Sequence, residues 1–183
     1  METFTVAVVV GSLRRESSNR RLATALGHLA PENLRLEQVS IGDLPLYDQD
    51  DEGEVCAAVS HFRATVRQAH AVVFVTPEYN RSIPGPLKNA LDQGSRPAGQ
   101  SVWAGKPAGI LGISPGALGT AAAQQHLRNV LASLDMPTMA QPEVYLQYKD
   151  GLFEPDGQIA AVARPLLERW MERYARWIAQ HAH

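Results

Sequence analysis

Three short, unbroken apolar runs, FTVAVVV (4–10), AVVFV (71–75) and AGILGI (108–113), each end in a loop built from glycine, serine or proline. Continuous rather than alternating hydrophobicity suits strands covered on both faces, as in a parallel sheet. LRLEQVSI (34–41) alternates better and predicts a strand nearer the edge, and PEVYL (142–146) predicts a weaker fifth. Helical spacing fills the gaps. Leu22, Ala25, Leu26 and Leu29 predict a helix over 19–29, and Val59, Phe62 and Val66 one over 55–68. Pro86 opens another over 86–91, and Leu127, Val130, Leu131 and Leu134 mark one over 121–134. A last helix is predicted over 159–178, with Leu166, Leu167, Trp170, Tyr174 and Trp177 as core or subunit contacts. Strands alternating with helices predict an α/β fold, a doubly wound five-stranded parallel sheet flanked by helices, in one domain over 1–183. Such sheets bind ligands beyond the carboxyl ends of their strands, so the chemistry is sought in the loops after the first, third and fourth apolar runs.

Composition narrows the function classes. The chain has 183 residues, 45% hydrophobic and 20% charged, with a formal net charge of -2. That balance gives no argument for nucleic acid or an acidic membrane surface as partner. Cys56 stands alone, which excludes a disulfide framework and a cysteine-ligated cluster within one chain. The opening METFTVAVVVGS lacks a basic stretch ahead of its apolar run and is not read as a signal peptide. No apolar run approaches the ~18 residues of a membrane span, so a cytoplasmic protein is expected. Six histidines show no H-x-x-x-H spacing, and no metal is expected.

The loop after the first run, GSLRRESSNRR (11–21), is neither G-x-G-x-x-G nor a P-loop. It offers Ser12, Ser17, Ser18 and Asn19 with Arg14, followed by a helix start. Helix N-termini carry unpaired N–H groups and the positive end of the dipole, so this is an anion site. Ser18 or Asn19 alone would cap the helix, and the excess of donors points to a terminal phosphate monoester. Two charged hydrogen bonds supply roughly 3–6 kcal/mol. Sub-micromolar binding needs about 8 kcal/mol, so the ligand must also have a stackable apolar body.

The loop after the third run supplies a surface for that body. In TPEYNRSIPGPLKNALD (76–92), Pro77, Pro84 and Pro86 stiffen the backbone around Glu78, Tyr79 and Asn80. Amides, a carboxylate and an aromatic ring match a flat heteroaromatic with edge donors and acceptors. With the phosphate loop, this describes flavin mononucleotide.

GSLRxxSxN after the first strand, TPEYNxSxPGxLKNAxD after the third, and GKP…SPG…HLRxxL further on resemble the NADPH-dependent FMN reductases, nearest their chromate/quinone reductase branch, over nearly the whole chain. The resemblance implies a flavodoxin-like fold with non-covalent FMN and NADPH or NADH as electron donor. It places Ser12, Arg14, Ser17 and Asn19 at the phosphate-loop positions, with Ser18 adjacent. It places Pro77, Glu78, Tyr79 and Asn80 along the isoalloxazine edge, and Ile113 and Ser114 where backbone groups face the ring. It implies a homodimer or homotetramer with the site near a subunit boundary. The small-molecule acceptors it implies are quinones, chromate, azo compounds or free flavin. No catalytic acid or base is implied, because flavin N5 carries the hydride. Arg81, Gln93 and Thr120 depart from the family's usual residues and bear on acceptor preference and oligomer contacts.

Rival readings are weaker. GISPG (112–116) matches the G-x-S-x-G of hydrolases, with Asp156 and His181 in suitable order. The oxyanion hole would need the N–H of the residue after Ser114, and Pro115 has none. A flavodoxin-type carrier without NAD(P)H turnover is the main alternative, although such carriers are strongly acidic. A receiver-like domain would need an acidic cluster where Gly11 and Thr76 stand. Cys56 is read as a packed or surface thiol, and Lys88 as a helix lysine that could also reach a cofactor.

Overall fold

The computed structural model describes residues 3–53 and 56–182. Within them β1 (Phe4–Val10), β2 (Leu34–Val39), β3 (Ala71–Val75), β4 (Ala108–Ser114) and β5 (Tyr145–Gln147) form one parallel sheet in the order β2-β1-β3-β4-β5. Every residue of β3 and β4 is buried, as continuous apolar runs require, whereas β2 at the edge exposes Arg35 and Gln38. The period of two divides the core. Val6, Val8, Val73, Val75, Leu111 and Ile113 pack under α1 (Ser18–Leu29) and α5 (Arg164–His181). Ala7, Val9, Val72, Phe74 and Ile110 pack under α2 (Ala57–Gln68), α3 (Gly85–Ser95) and α4 (Ala121–Ser133). Two covered faces and this strand order are the flavodoxin-like arrangement, whose order reverses between β1 and β3.

Several boundaries differ from the sequence expectation, each for a local reason. Ser17, not Ser18 or Asn19, caps α1; its hydroxyl accepts the Arg20 N–H at 3.3 Å. The fifth strand is 145–147 rather than 142–146, because Pro142 has no N–H for the ladder and pairing with β4 begins at Gly112 opposite Tyr145. The last helix begins at Arg164 rather than 159. Ile159 is bridged to Phe153 and the Ala160 N–H donates to the Leu152 carbonyl (2.9 Å), while Pro165 sets the first turn. α3 extends to Ser95, its Gly94 packed under the Trp103 indole. Val55, expected to open α2, lies outside the described residues, and Cys56 is exposed at the helix's N-cap.

Candidate functional site

The loops leaving β1, β3 and β4 meet at the carboxyl edge on both sides of the β1/β3 switch. In the first, Ser12 and Ser17 are buried while Arg14 is exposed and makes no ion pair or hydrogen bond among the described residues. The N–H groups of Leu13, Arg14, Ser18 and Asn19 donate to no acceptor among the described residues. Ser17 satisfies only the third amide of α1, so the first two stay open at the positive end of the helix dipole. Four arginines (14, 15, 20, 21) against Glu16 make residues 14–21 locally basic in a chain whose net charge is -2. Open amides, a buried hydroxyl and local positive charge fit a dianionic phosphate monoester.

The Asn19 side chain has a partner within the chain. Its Nδ2 donates to the Ile113 carbonyl (2.8 Å) and its Oδ1 accepts the Ile113 N–H (3.0 Å). The side chain is buried and occupied, so only its backbone amide is open toward a phosphate. By the same contacts the Ile113 N–H and carbonyl are both engaged with α1.

The loop after β3 leaves the sheet through tight backbone packing. The Thr76 hydroxyl donates to the Pro77 carbonyl (2.8 Å), and a Cβ on Gly112 would overlap the Thr76 carbonyl. Beyond the buried Pro77, the half-buried Glu78 accepts the Ala123 N–H on Oε2 (3.0 Å). Thr120, at the N-cap of α4, supplies no side-chain cap, so Glu78 caps that helix from another loop. Tyr79 and Ser82 exchange two backbone hydrogen bonds, 2.9 and 3.0 Å, closing a two-residue hairpin over Asn80 (φ 52°) and Arg81 (φ 63°). Tyr79 is 47% exposed, and Asn80 and Arg81 stand free.

In the third loop the Ser114 hydroxyl donates to the Gly119 carbonyl, and the Ser114 carbonyl accepts from Tyr148 (2.8 Å). Ser114 is thus buried and committed to closing its own loop. The hydrolase reading fails on geometry as well as on Pro115. His181 stacks on Trp177, whose indole N–H bonds the Pro137 carbonyl beside the start of β4. Ser114 ends that strand, about 20 Å away at ~3.3 Å per residue.

Sequence reading missed the tethers of this site to α4: Glu78 to Ala123, and Ser82 Oγ to His126 Nδ1 at 2.6 Å. It also missed Leu13 and Leu118, exposed apolar side chains on the first and third loops. A leucine inside a glycine- and serine-rich loop was the available signal. Lys88 pairs with Asp92 at 2.8 Å, the surface role. Among the described residues there is no group of three or more His, Cys, Asp or Glu able to hold a metal, and no helix is long and apolar enough to cross a membrane.

Comparison with known proteins follows the same lines. A family model described as NADPH-dependent FMN reductase matches residues 4–151. A quinone reductase of Pseudomonas putida is 51% identical over 178 residues, 97% of this chain and 96% of the relative. A 2-hydroxy-1,4-benzoquinone reductase of a Burkholderia species is 49% identical over 174 residues, 94% and 95% of the two chains. The solved structure of FerB, a flavoenzyme NAD(P)H:(acceptor) oxidoreductase from Paracoccus denitrificans, superposes with a TM-score of 0.95 at 38% identity, covering 99% of this chain and 100% of the other.

Proposed function

The chain belongs to the NADPH-dependent FMN reductase family, and on that premise we propose that it catalyses two-electron reduction of quinones by NAD(P)H through bound FMN. It is an enzyme with FMN as cofactor and NAD(P)H as electron donor, rather than a carrier of the flavodoxin type. When bound, FMN supplies hydride transfer through N5 from the nicotinamide to the acceptor. The chain's own residues bind and orient. Ser12, Ser17, Ser18 and Arg14, with the amides opening α1, receive the phosphate. Pro77, Glu78, Tyr79 and Asn80 present the hairpin to the ring edge, and Asn19, Ile113 and Ser114 hold the loops in register behind it.

One observation carries this reading: open amides at the α1 N-terminus and a polar hairpin tethered to α4 flank the same strand-order switch. A phosphate monoester with a flat polar ring spans such a pair of features. The hairpin, exposed Tyr79 and exposed Arg81 leave the acceptor side open, which supports chromate, azo compounds and free flavin as further acceptors. Exposed Leu13, Tyr79 and Leu118 around the site support a homodimer or homotetramer whose copies meet there. A single domain acting in the cytoplasm completes the proposal. Steady-state NADPH oxidation with 1,4-benzoquinone tests it: turnover that needs added or retained FMN is expected, and flavin binding without nicotinamide oxidation would reject it.

A further inference from the structure

The hairpin at Tyr79–Ser82 holds a backbone that its own sequence disfavours. Asn80 and Arg81 both have positive φ, 52° and 63°. Two-residue hairpins of this twist want glycine at the second position, and arginine there carries a steric cost that asparagine's short side chain partly avoids. Strained backbone persists where its surroundings over-determine it. Here two contacts to α4 bracket the turn. Ahead of it the Ala123 N–H holds the Glu78 carboxylate at 3.0 Å, and behind it Ser82 Oγ lies 2.6 Å from His126 Nδ1. The side chains of Asn80 and Arg81 add no hydrogen bond among the described residues. A lone two-stranded hairpin is marginal in water, so beyond the buried Pro77 and Ile83 at its base the turn itself is placed by those two anchors.

We propose that His126 is a positioning residue of the flavin site, its Nδ1 fixing Ser82 and so holding the amides of Glu78 and Asn80 where the ring edge must meet them. The proposal rests on the FMN reading above. The contact is exposed, so it adds little to global stability and acts on the local placement of the hairpin. Its atoms also dictate the variants. Nδ1 is bonded directly to Cγ, the place that an asparagine amide atom occupies, whereas phenylalanine keeps the ring and has no polar atom there.

The experiment titrates the full-length wild type, His126→Phe and His126→Asn with FMN by flavin fluorescence, with the thermal midpoint of each FMN-free protein measured alongside. His126→Phe is expected to raise the FMN dissociation constant about three- to tenfold, the loss of one hydrogen bond, and to change the band shape of bound flavin at an unchanged midpoint. His126→Asn is expected to stay within about twofold of wild type. Wild-type affinity in the Phe variant, or equal weakening in both variants, overturns the tether while leaving the cofactor reading intact. Failure of the wild type to bind FMN removes the cofactor reading and this proposal with it.

Discussion

Asn19 and Ile113, 94 positions apart, are joined by both halves of one side-chain amide: Nδ2 to the Ile113 carbonyl at 2.8 Å and Oδ1 from the Ile113 N–H at 3.0 Å. The bond locks the first turn of α1 to the end of β4, so the two loops that flank the proposed site cannot slide against each other. Asn19→Ala leaves both buried Ile113 groups without this partner. It is expected to cost about 2–3 kcal/mol in urea unfolding and to weaken FMN binding as a consequence. Retained stability would show that the clamp is redundant.

Arg14→Ala is expected to do the reverse. The side chain is exposed and unpaired among the described residues, so stability should hold while FMN binding weakens roughly 10–100-fold, the value of a charged hydrogen bond. Unchanged affinity by flavin fluorescence would mean that Arg14 turns away from the phosphate.

Gly112 and Gly116 bound the same short motif and should respond differently to alanine. A Cβ on Gly112 would overlap the backbone carbonyl of Thr76, while one on Gly116 meets only Ser114 Oγ at 3.8 Å. Gly112→Ala is expected to lose about 3 kcal/mol or to fail to fold, and Gly116→Ala to melt like wild type. Equal melting of the two variants would refute the close approach of β3 and β4.

Arg81 tests the strain in the hairpin. At φ 63°, Arg81→Gly is expected to keep stability within about 0.5 kcal/mol of wild type, while the β-branched Arg81→Val loses about 1–2 kcal/mol. Denaturant unfolding of the pair decides it, and a harmless valine would mean that the turn is not held in the left-handed region.

Alkaline stability follows from Tyr174. Its hydroxyl donates to the Val72 carbonyl at 2.8 Å, and burial pushes the phenol well above its ordinary value of 10.0. A folded pKa above the unfolded one gives stability that is full below about pH 10 and falls as pH rises further. Tyr145, raised by burial first, acts in the same sense. Lys106, lowered by burial first, acts oppositely and only up to the ordinary lysine value of 10.5. Thermal melts from pH 8 to 11 should therefore drop steeply above about pH 10, and Tyr174→Phe should show a shallower drop. The same slope in both proteins would contradict this assignment.

The sequence made the sheet legible because its central strands are buried on both faces, and the unbroken runs 71–75 and 108–113 could be little else. The loops of the site were legible for a related reason: each follows such a run. What stayed hidden depends on long-range contacts that no local pattern records. The pairing of the Asn19 side chain with Ile113 was hidden because the two lie far apart in the chain. That the Glu78 carboxylate also caps α4 was hidden because that helix begins only after β4. The weak strand 145–147 and the late start of α5 followed from pairing with Gly112 and from the Phe153–Ile159 bridge, again non-local.

The most direct test of the account is the visible spectrum of the purified protein titrated with FMN, then reduced anaerobically with NADPH and, separately, with NADH. A perturbed bound-flavin band, saturating at one FMN per chain, that bleaches on addition of NADPH or NADH is expected. A chain that leaves the FMN spectrum unchanged, or binds flavin that neither nucleotide reduces, would contradict it.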